Sequence, residues 1–354
     1  MGSVELGVRK QKILTAVIDA YIRTGEPVGS KAIVELMDNS VSSATIRNEM
    51  AELAAMGYLE QPHTSAGRIP TAMAFRLYID RLMDRRDLTE EDCRNIDVQL
   101  KCAAGDPESL IEEASQALAE TTGCAAVTTT PSGHAADLRR IEVLRVSSRS
   151  VALLLMTGSG LLRTRICRFD RDVSSDALET LARALNEYFC GSPLVDIGLP
   201  QVQSMITALG EHGLFCVPAL TAFYQLVQES VEAEVSLKGQ LNLLRHPDYD
   251  PNRARDLLSF LARREMLAGL LTSMPTGLRV VIGSESRRPE LDGSSMIVTR
   301  YKLGGRPDGS IGIIGPLRMD YAATIPRIEY IASSIGRILD EIMGEDQGHT
   351  TDNE

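Results

Sequence analysis

The sequence predicts a multidomain α+β protein whose N-terminal part is a winged helix-turn-helix. Three observations predict this fold class. The first 86 residues hold three short amphipathic segments followed at once by a strand, a glycine turn and a second strand. Strand-like runs later occur on both sides of a helical block, as in a sheet domain that carries an insertion. A length of 354 residues is enough for two or three such domains.

The composition excludes several classes of protein. Hydrophobic residues make up 44% of the chain, so it can bury real cores and is not a disordered polymer. The longest apolar run, VALLLM at 151–156, is far shorter than the roughly 20 residues of a membrane span, and no signal core begins the chain. Because the six cysteines form no CxxC pair, we expect no metal site and no disulfide framework, and a cytoplasmic location.

The charge is divided unequally along the chain. The net charge of −11 alone argues against a nucleic-acid-binding protein. However, residues 1–86 hold 11 Lys/Arg and 10 Asp/Glu, whereas the remainder holds 26 and 38. The acidic remainder would repel phosphates, so any DNA contact is expected in the N-terminal part.

Two helices are predicted at the start of the chain. The first covers residues 9–23, with apolar side chains at helical spacing, and it ends at Gly25 and Pro27 because glycine suits the position after a helix and proline cannot continue one. A second short helix, KAIVELM, follows, with Ser30 as its expected cap. Residues 38–40 read as a turn.

A third predicted helix has two different faces. Ser42 or Ser43 caps it, and it runs to Met56 before Gly57 stops it. One stripe is the expected core side: Ile46, Met50, Leu53 and Gly57. The opposite face carries small or polar residues: Ala44, Asn48, Ala51 and Ala55, flanked by Thr45, Arg47 and Glu52. Three short helices with tight turns predict a helix-turn-helix.

The second face has the residue types that read DNA bases. Arg47 can pair bidentately with guanine and Asn48 with adenine, while small neighbours let the helix lie deep in a major groove of about 12 Å width. Backbone N–H groups at the helix start, with Ser42 and Ser43, suit a phosphate. On an isolated helix, Arg47 and Asn48 would ordinarily be interpreted as solvated surface residues. The segment that follows, residues 58–69, argues against that interpretation.

That segment predicts a wing. Residues 58–61 read as a strand, residues 64–67 as a turn and Arg68–Ile69 as the return strand, with prolines limiting both strands to edge positions. Arg68 is therefore expected at the wing tip, near phosphate or the minor groove, and His63 as a hydrogen-bonding wing residue rather than a metal ligand. Candidate contacts to the DNA backbone are Arg9, Lys10, Lys12 and Lys31. The predicted DNA-binding residues are Ser42, Ser43, Thr45, Arg47, Asn48, His63, Ser65, Gly67 and Arg68.

The remaining chain alternates between helical and strand patterns. A helix is expected over 75–87, a polar linker over 87–95 and further helix up to about residue 123. Three β-rich runs at 138–147, 150–160 and 161–169 predict a meander, followed by a helix over 176–190. Strands resume at 278–286, 296–304 and 310–316, and an apolar helix covers 320–343. We therefore expect one sheet domain interrupted by a helical insertion at roughly 192–275.

Four blocks of sequence resemble the bacterial heat-inducible transcription repressor family, HrcA. They are TGEPVGSKAI (24–33), SSATIRNEMAELAAMGYLEQPHTSAGRIPT (42–71), VVIGSES (280–286) and IGIIGPLRMDY (311–321). They span nearly the whole chain in the family's order, and the first two are long and specific.

The resemblance implies a particular domain plan and function. It implies a winged-helix domain over 1–86, a GAF-like domain over 96–191 and 276–345, an inserted dimerisation domain over 192–275 and a disordered tail over 346–354. It further implies a homodimer that binds an inverted-repeat operator (the CIRCE element) on double-stranded DNA, represses chaperone operons and is kept active by the GroEL chaperonin. In the bacterial cytoplasm such a protein would join the nucleoid when bound to its operator.

Other functions receive less support from the residues. A winged-helix transcription factor that senses a small molecule through its sheet domain is the alternative. An enzyme is not expected, because the chain lacks HExxH, GxSxG and a dinucleotide-binding βαβ unit. The glycine-rich segment 304–310 lacks the Gly-Lys-Ser/Thr end of a phosphate loop and precedes a strand, so it predicts a hairpin turn. We expect no cofactor and no metal.

Overall fold

The N-terminal domain consists of helices and one short hairpin. The computed structural model describes residues 6–37, 41–63, 66–131, 136–210 and 213–344. The domain's elements are α1 (Val8–Thr24), α2 (Ser30–Leu36), α3 (Ser43–Ala55), β1 (Leu59–Glu60), β2 (Ile69–Pro70), α4 (Ala72–Leu77) and a π-helical turn at Tyr78–Leu82. The predicted turn at 38–40 and the predicted tail at 346–354 lie outside the described residues.

The ends of these helices follow local chemistry. Gly25 ends α1 in the left-handed region at φ 70°, as predicted, and donates its N–H to the carbonyl of Tyr21. The expected cap at Ser30 is wrong, because Gly29 is the N-cap of α2 and no side chain caps it. The helix predicted over 75–87 is shorter: it starts at Ala72 under a Thr71 cap and gives way to extended chain at Met83.

A five-stranded antiparallel sheet forms the centre of the second domain, here called the body (residues 90–129 and 235–344). Its strand order is β7-β3-β10-β9-β8. The strands are β3 (Ala125–Thr129), β7 (Val235–Lys238), β8 (Arg279–Ile282), β9 (Ser294–Leu303) and β10 (Arg306–Pro316). The turn between β9 and β10 is at Gly304 and Gly305, with φ 57° and 77°, so the hairpin predicted at this glycine-rich segment is confirmed.

Helices cover both faces of this sheet. One layer packs into the same core as the N-terminal domain and consists of α5 (Glu90–Cys102), α6 (Pro107–Thr122) and α13 (Tyr321–Gly344). The other layer consists of α10 (Gln240–Arg245), α11 (Pro251–Leu261) and α12 (Arg264–Thr272). Neighbouring residues of β10 alternate between the layers, Ile313 facing the first and Ile314 the second.

Residues 136–231 form a separate inserted unit. Its meander is β4 (Leu138–Arg145), β5 (Ser150–Thr157) and β6 (Leu162–Arg168), and its helices are α7 (Ser175–Phe189), α8 (Leu199–Ala208) and α9 (Gly213–Val231). The meander is a three-stranded antiparallel sheet of its own. One hydrophobic core joins it to the three helices, so the unit buries its apolar residues without the body.

The structure corrects three expectations about the body, the inserted unit and the segment that precedes them. The predicted single sheet is wrong, because the meander does not pair with the later strands. The expected insertion boundary at 192 falls inside one core, whereas the chain leaves the body after β3 and returns at β7. The predicted linker 87–95 is mostly helix, because Thr89 and Asp92 form a capping box that starts α5.

The N-terminal domain is fixed to the body by charged contacts. Arg318 lies against Gly25, donates from Nε to both carboxylate oxygens of Asp248 at 2.8 Å, and reaches the carbonyl of Ile22 from Nη1 at 3.2 Å. Its side chain is only 11% exposed. Arg76 similarly pairs with Glu285 and donates to the carbonyl of Val280 at 2.6 Å, so two guanidinium groups bridge the domains.

We expect Arg318→Ala to lower the free energy of unfolding by about 1.5–3 kcal/mol, because it leaves Asp248 and the end of α1 without a charged partner. Chemical denaturation measures this change. The matched control is Arg337→Ala on α13, whose side chain is 46% exposed and pairs with Asp97 and Glu341 at 3.5 Å. That change should cost less than about 1 kcal/mol. Equal losses in the two variants would contradict a special role for Arg318.

Candidate nucleic-acid interface

Helix α3 presents one buried and one exposed face. Ile46, Met50 and Leu53 are buried in the core shared with α1, as the spacing predicted. Gly57 was expected on the same stripe, but it is exposed, because the helix ends at Ala55 and the chain turns there. The opposite face is open to solvent: Ala44, Arg47, Asn48, Ala51, Glu52 and Ala55 are all exposed. Burial of the apolar stripe therefore fixes the direction in which the polar face points.

The start of α3 is held by two serines with different roles. Ser42 is the N-cap, and its hydroxyl accepts the N–H of Thr45 at 3.2 Å and lies 2.9 Å from the Thr45 hydroxyl. The Ser43 hydroxyl lies 3.1 Å from that of Ser30 at the start of α2. This pair of serines joins the two helices of the predicted helix-turn-helix. Ser30 therefore contacts α3 through its side chain instead of capping α2 as predicted.

Arg47 and Asn48 have no hydrogen-bond or ion-pair partner among the residues that the structure describes. Both side chains lie on the exposed face, one turn from the start of α3. An arginine free of acidic partners and a neighbouring free amide keep all their donors available to an incoming ligand. This placement fits the base-reading role predicted for them.

The acidic residues of α3 are instead paired with α1. Lys10 Nζ lies 2.9 Å from Glu52 Oε2 and 3.0 Å from Glu49 Oε2, and Arg9 lies 3.7 Å from Glu49. The hydrogen bonds that the Lys10 ammonium donates to Glu52 and then to Glu49 raise the pKa of Lys10, so it stays charged. These pairs offset negative charge beside the polar face. Of the four candidate contacts to the DNA backbone, Arg9 and Lys10 are therefore already in ion pairs within the protein. Lys12 and Lys31 are exposed.

The predicted wing is a short hairpin. Leu59 pairs with Pro70 and Glu60 with Ile69. The loop between them closes through the N–H of Ala66, which donates to the His63 carbonyl at 2.9 Å, and His63 itself is exposed. The predicted residue Ser65 in this loop lies outside the described residues.

Arg68 is at the base of the wing and not at its tip. Its N–H donates to the Val28 carbonyl at 2.9 Å, and its carbonyl accepts the Val28 N–H at 2.8 Å. Val28 thus adds a third strand position to the hairpin, and the Arg68 side chain is half-buried. This pairing was not predicted, although an apolar Val28 between Pro27 and Gly29 is a signal for a short extended segment.

Gly67 has a steric role in the wing. A Cβ at this position would lie 2.5 Å from the carbonyl carbon and oxygen of Val28 and 2.8 Å from the carbonyl carbon of Pro27. Glycine therefore lets the wing approach the chain that follows α1. Thr71 completes the attachment, since its hydroxyl donates to the Gly57 carbonyl at 2.7 Å and ties the wing to the end of α3.

No group of three or more His, Cys, Asp or Glu side chains in the described ranges is placed to hold a metal ion. None of the helices in those ranges is long and apolar enough to cross a membrane.

Family models match an N-terminal and a C-terminal part of the chain. The family model for the winged helix-turn-helix transcription repressor HrcA DNA-binding domain matches residues 5–81, and the model for the HrcA protein C-terminal domain matches residues 108–325. Among curated relatives, the heat-inducible transcription repressor HrcA of Acetivibrio thermocellus is 31% identical, covering 96% of this chain and 98% of its own. That of Moorella thermoacetica is 34% identical, covering 94% and 98%.

A solved structure has the same fold. It is described as a hypothetical protein, is 24% identical in sequence, and has a TM-score of 0.66 over 96% of this chain and 100% of its own. At this identity the likeness concerns the fold alone.

We expect Gly67→Ala to lower the free energy of unfolding by about 1–3 kcal/mol, because the new methyl group meets backbone atoms that cannot move aside without breaking the Val28–Arg68 pairing. The matched control is Gly269→Ala on α12, where nothing lies within 4 Å of the added atom. There the helical propensity of alanine should stabilise the protein by up to about 1 kcal/mol. Denaturation of both variants measures the effects, and a neutral Gly67→Ala would contradict the steric role.

Proposed function

The chain belongs to the HrcA family of heat-inducible transcription repressors, and from this premise we propose that it represses chaperone operons by binding an inverted-repeat DNA operator, the CIRCE element. The observation that carries the proposal is the exposed face of α3 beside a β-hairpin, where Arg47 and Asn48 have no partner in the described part of the chain. Since the relatives are named as repressors, we assign no enzymatic activity.

In this proposal α3 lies in the major groove. Arg47 and Asn48 contact base edges, and the alanines of the same face sit against thymine methyl groups. Ser42, Ser43 and Thr45 lie at the helix start, where backbone N–H groups face a phosphate. The wing, with His63 and Ser65 in its loop and Gly67 and Arg68 at its base, follows the adjacent backbone.

The operator is tested by footprinting on genomic DNA upstream of chaperone genes. The full-length protein should protect an inverted repeat there and leave unrelated promoters unprotected. In the proposal the GroEL chaperonin maintains the active protein, so adding chaperonin should increase the protected fraction at the same total concentration of repressor. Equal protection of all DNA sequences would overturn the proposed operator. Protection that does not change when chaperonin is added would overturn the proposed chaperonin partner alone.

A second copy of the chain is the proposed partner of the inserted unit. The outer face of its meander carries adjacent apolar residues that no described helix covers, and three of them are 51%, 50% and 64% exposed: Leu144, Leu162 and Ile166. Ala152, Leu154 and Met156 lie between them on β5. This face, on which Arg140, Glu142 and Thr164 lie beside the apolar residues, fits a self-complementary contact, and a two-fold dimer fits an inverted-repeat operator.

The body is proposed to be a GAF-like domain that holds the other parts in place. Its antiparallel sheet is packed by helices on both faces, and its first core continues into the winged helix. The inserted unit would then be the dimerisation domain of the family plan. Its limits are those of its own core, 136–231, and not the 192–275 expected from the sequence.

We expect Arg47→Ala and Asn48→Ala each to reduce discrimination between operator and scrambled DNA by about 1–3 kcal/mol, with little change in non-specific binding. Arg68→Ala is the contrasting variant. If its guanidinium meets phosphate, affinity should fall evenly for both DNAs and the salt slope should decrease by about one. Competition binding at several salt concentrations measures both quantities. Unchanged discrimination in both α3 variants would contradict the groove assignment.

We expect Ile166→Glu to weaken the dimer by roughly 3 kcal/mol, because a carboxylate would be buried without a partner in an apolar contact. The matched control is Val98→Glu on α5, where an apolar side chain 65% exposed lies outside the inserted unit. Analytical ultracentrifugation over a range of concentrations measures the dissociation constant. The interface would be contradicted if Val98→Glu raised the dissociation constant as much as Ile166→Glu. It would also be contradicted if both variants dimerised as tightly as the wild type.

A further inference from the structure

The inserted unit is joined to the body by a narrow junction. Its core is separate from those of the body, and little packing crosses between the two parts. The two passages of chain run side by side at Thr130 and Glu234. The N–H of Thr130 donates to the Glu234 carbonyl and the N–H of Glu234 donates to the Thr130 hydroxyl, both at 2.9 Å. A connection of two backbone passages permits relative motion unless something else restrains it.

One side chain provides such a restraint. Arg163 extends from β6 toward the body, and its side chain is 12% exposed. Its Nη1 pairs with Glu108 in the first turn of α6, and its Nη2 lies 2.9 Å from Glu234 Oε1 on the returning passage. Within the described ranges, Arg163 thus joins the inserted unit to the body by ion pairs with Glu108 and with Glu234 on the returning passage.

The junction around this pair is polar and loosely filled. A cavity of about 320 Å³ lies beside it, lined by Glu108, Thr130, Glu234 and Ser236 among others. No apolar core of the described residues spans the two parts here, so the guanidinium contacts restrain the angle between them.

Strand β6 connects this restraint with the dimer face. Successive side chains of a strand point to opposite faces. Leu162 and Ile166 point outward to the proposed dimer contact, whereas Arg163 points inward to the body. Movement of the body about the junction would therefore move each winged helix relative to the dimer axis.

We propose that Arg163 is a positioning residue that fixes the angle between the inserted unit and the body, and with it the spacing of operator half-sites that the dimer accepts. The inference rests on the dimeric operator binding proposed above. Two linked sites gain affinity only when the geometry lets both engage, so a loosened junction should lower affinity and broaden the accepted spacing.

The test compares Arg163→Gln with Arg165→Gln in the full-length protein. Arg165 is the next inward arginine of β6, but it pairs with Glu229 and with Gln225 at 3.0 Å, inside the inserted unit. The probes are duplexes carrying the footprinted inverted repeat with base pairs added to or removed from its spacer. Small-angle X-ray scattering of the free dimers gives their distance distributions. Glu108→Gln, at a side chain 42% exposed, removes the partner on the body.

For Arg163→Gln and Glu108→Gln we expect a dimer of unchanged mass and a broader distance distribution. The affinity of these variants for DNA with the native spacer should fall about tenfold. Changing the length of the spacer should then lower their affinity by less than about a further threefold. Arg165→Gln should behave as the wild type. Dimeric Arg163→Gln protein with wild-type scattering and wild-type spacer dependence would overturn the positioning role alone. A monomeric wild type would overturn the dimer, and the positioning role with it.

Discussion

Burial of three side chains of α3 is the constraint on which the proposed interface depends. Ile46, Met50 and Leu53 are each 3% exposed or less, so α3 cannot rotate about its axis without exposing them. Its opposite face is therefore presented in one orientation. The ion pairs of Lys10 with Glu49 and Glu52 act in the same direction, since they hold α1 against the flank of α3 and engage the acidic groups nearest the polar face.

The same constraint extends into the body through a continuous core. Phe75 and Tyr321 are both buried, with ring centroids 6.0 Å apart, and the two bridging arginines, Arg76 and Arg318, lie nearby. The two C-terminal blocks that carry the family resemblance, 280–286 and 311–321, supply the body's side of these contacts through Glu285, Arg318 and Tyr321. Blocks far apart in the sequence thus meet where the DNA-binding domain is anchored, which gives them a structural role independent of any ligand.

The sequence predicted the elements better than their partners. The periodicity of α3 identified its buried stripe because helical spacing is a local property. The pairing of Val28 with Arg68 connects residues 40 positions apart and leaves only a single apolar residue as its signal. Strand β3, AAVTT, was missed because it is short and alanine-rich, and β-propensity is weak there. The meander was recognised as three strands, but alternation does not say which sheet a strand joins. Among the candidate site residues, the exposed face of α3 followed from spacing, whereas the place of Arg68 depended on that long-range pair.

The separate core of the inserted unit has a consequence for the whole assembly. A dimer formed through the meander connects the two bodies only by way of their junctions, so rigidity there decides whether two winged helices act as one reader of DNA. Hydrophobic packing cannot supply that rigidity at a polar, cavity-lined junction. A buried guanidinium can, because its hydrogen bond to Glu108 has a specific direction and its ion pair with Glu234 holds the returning chain close to it. The geometry of operator binding would then depend on a polar contact far from the DNA, while base recognition depends on α3 itself.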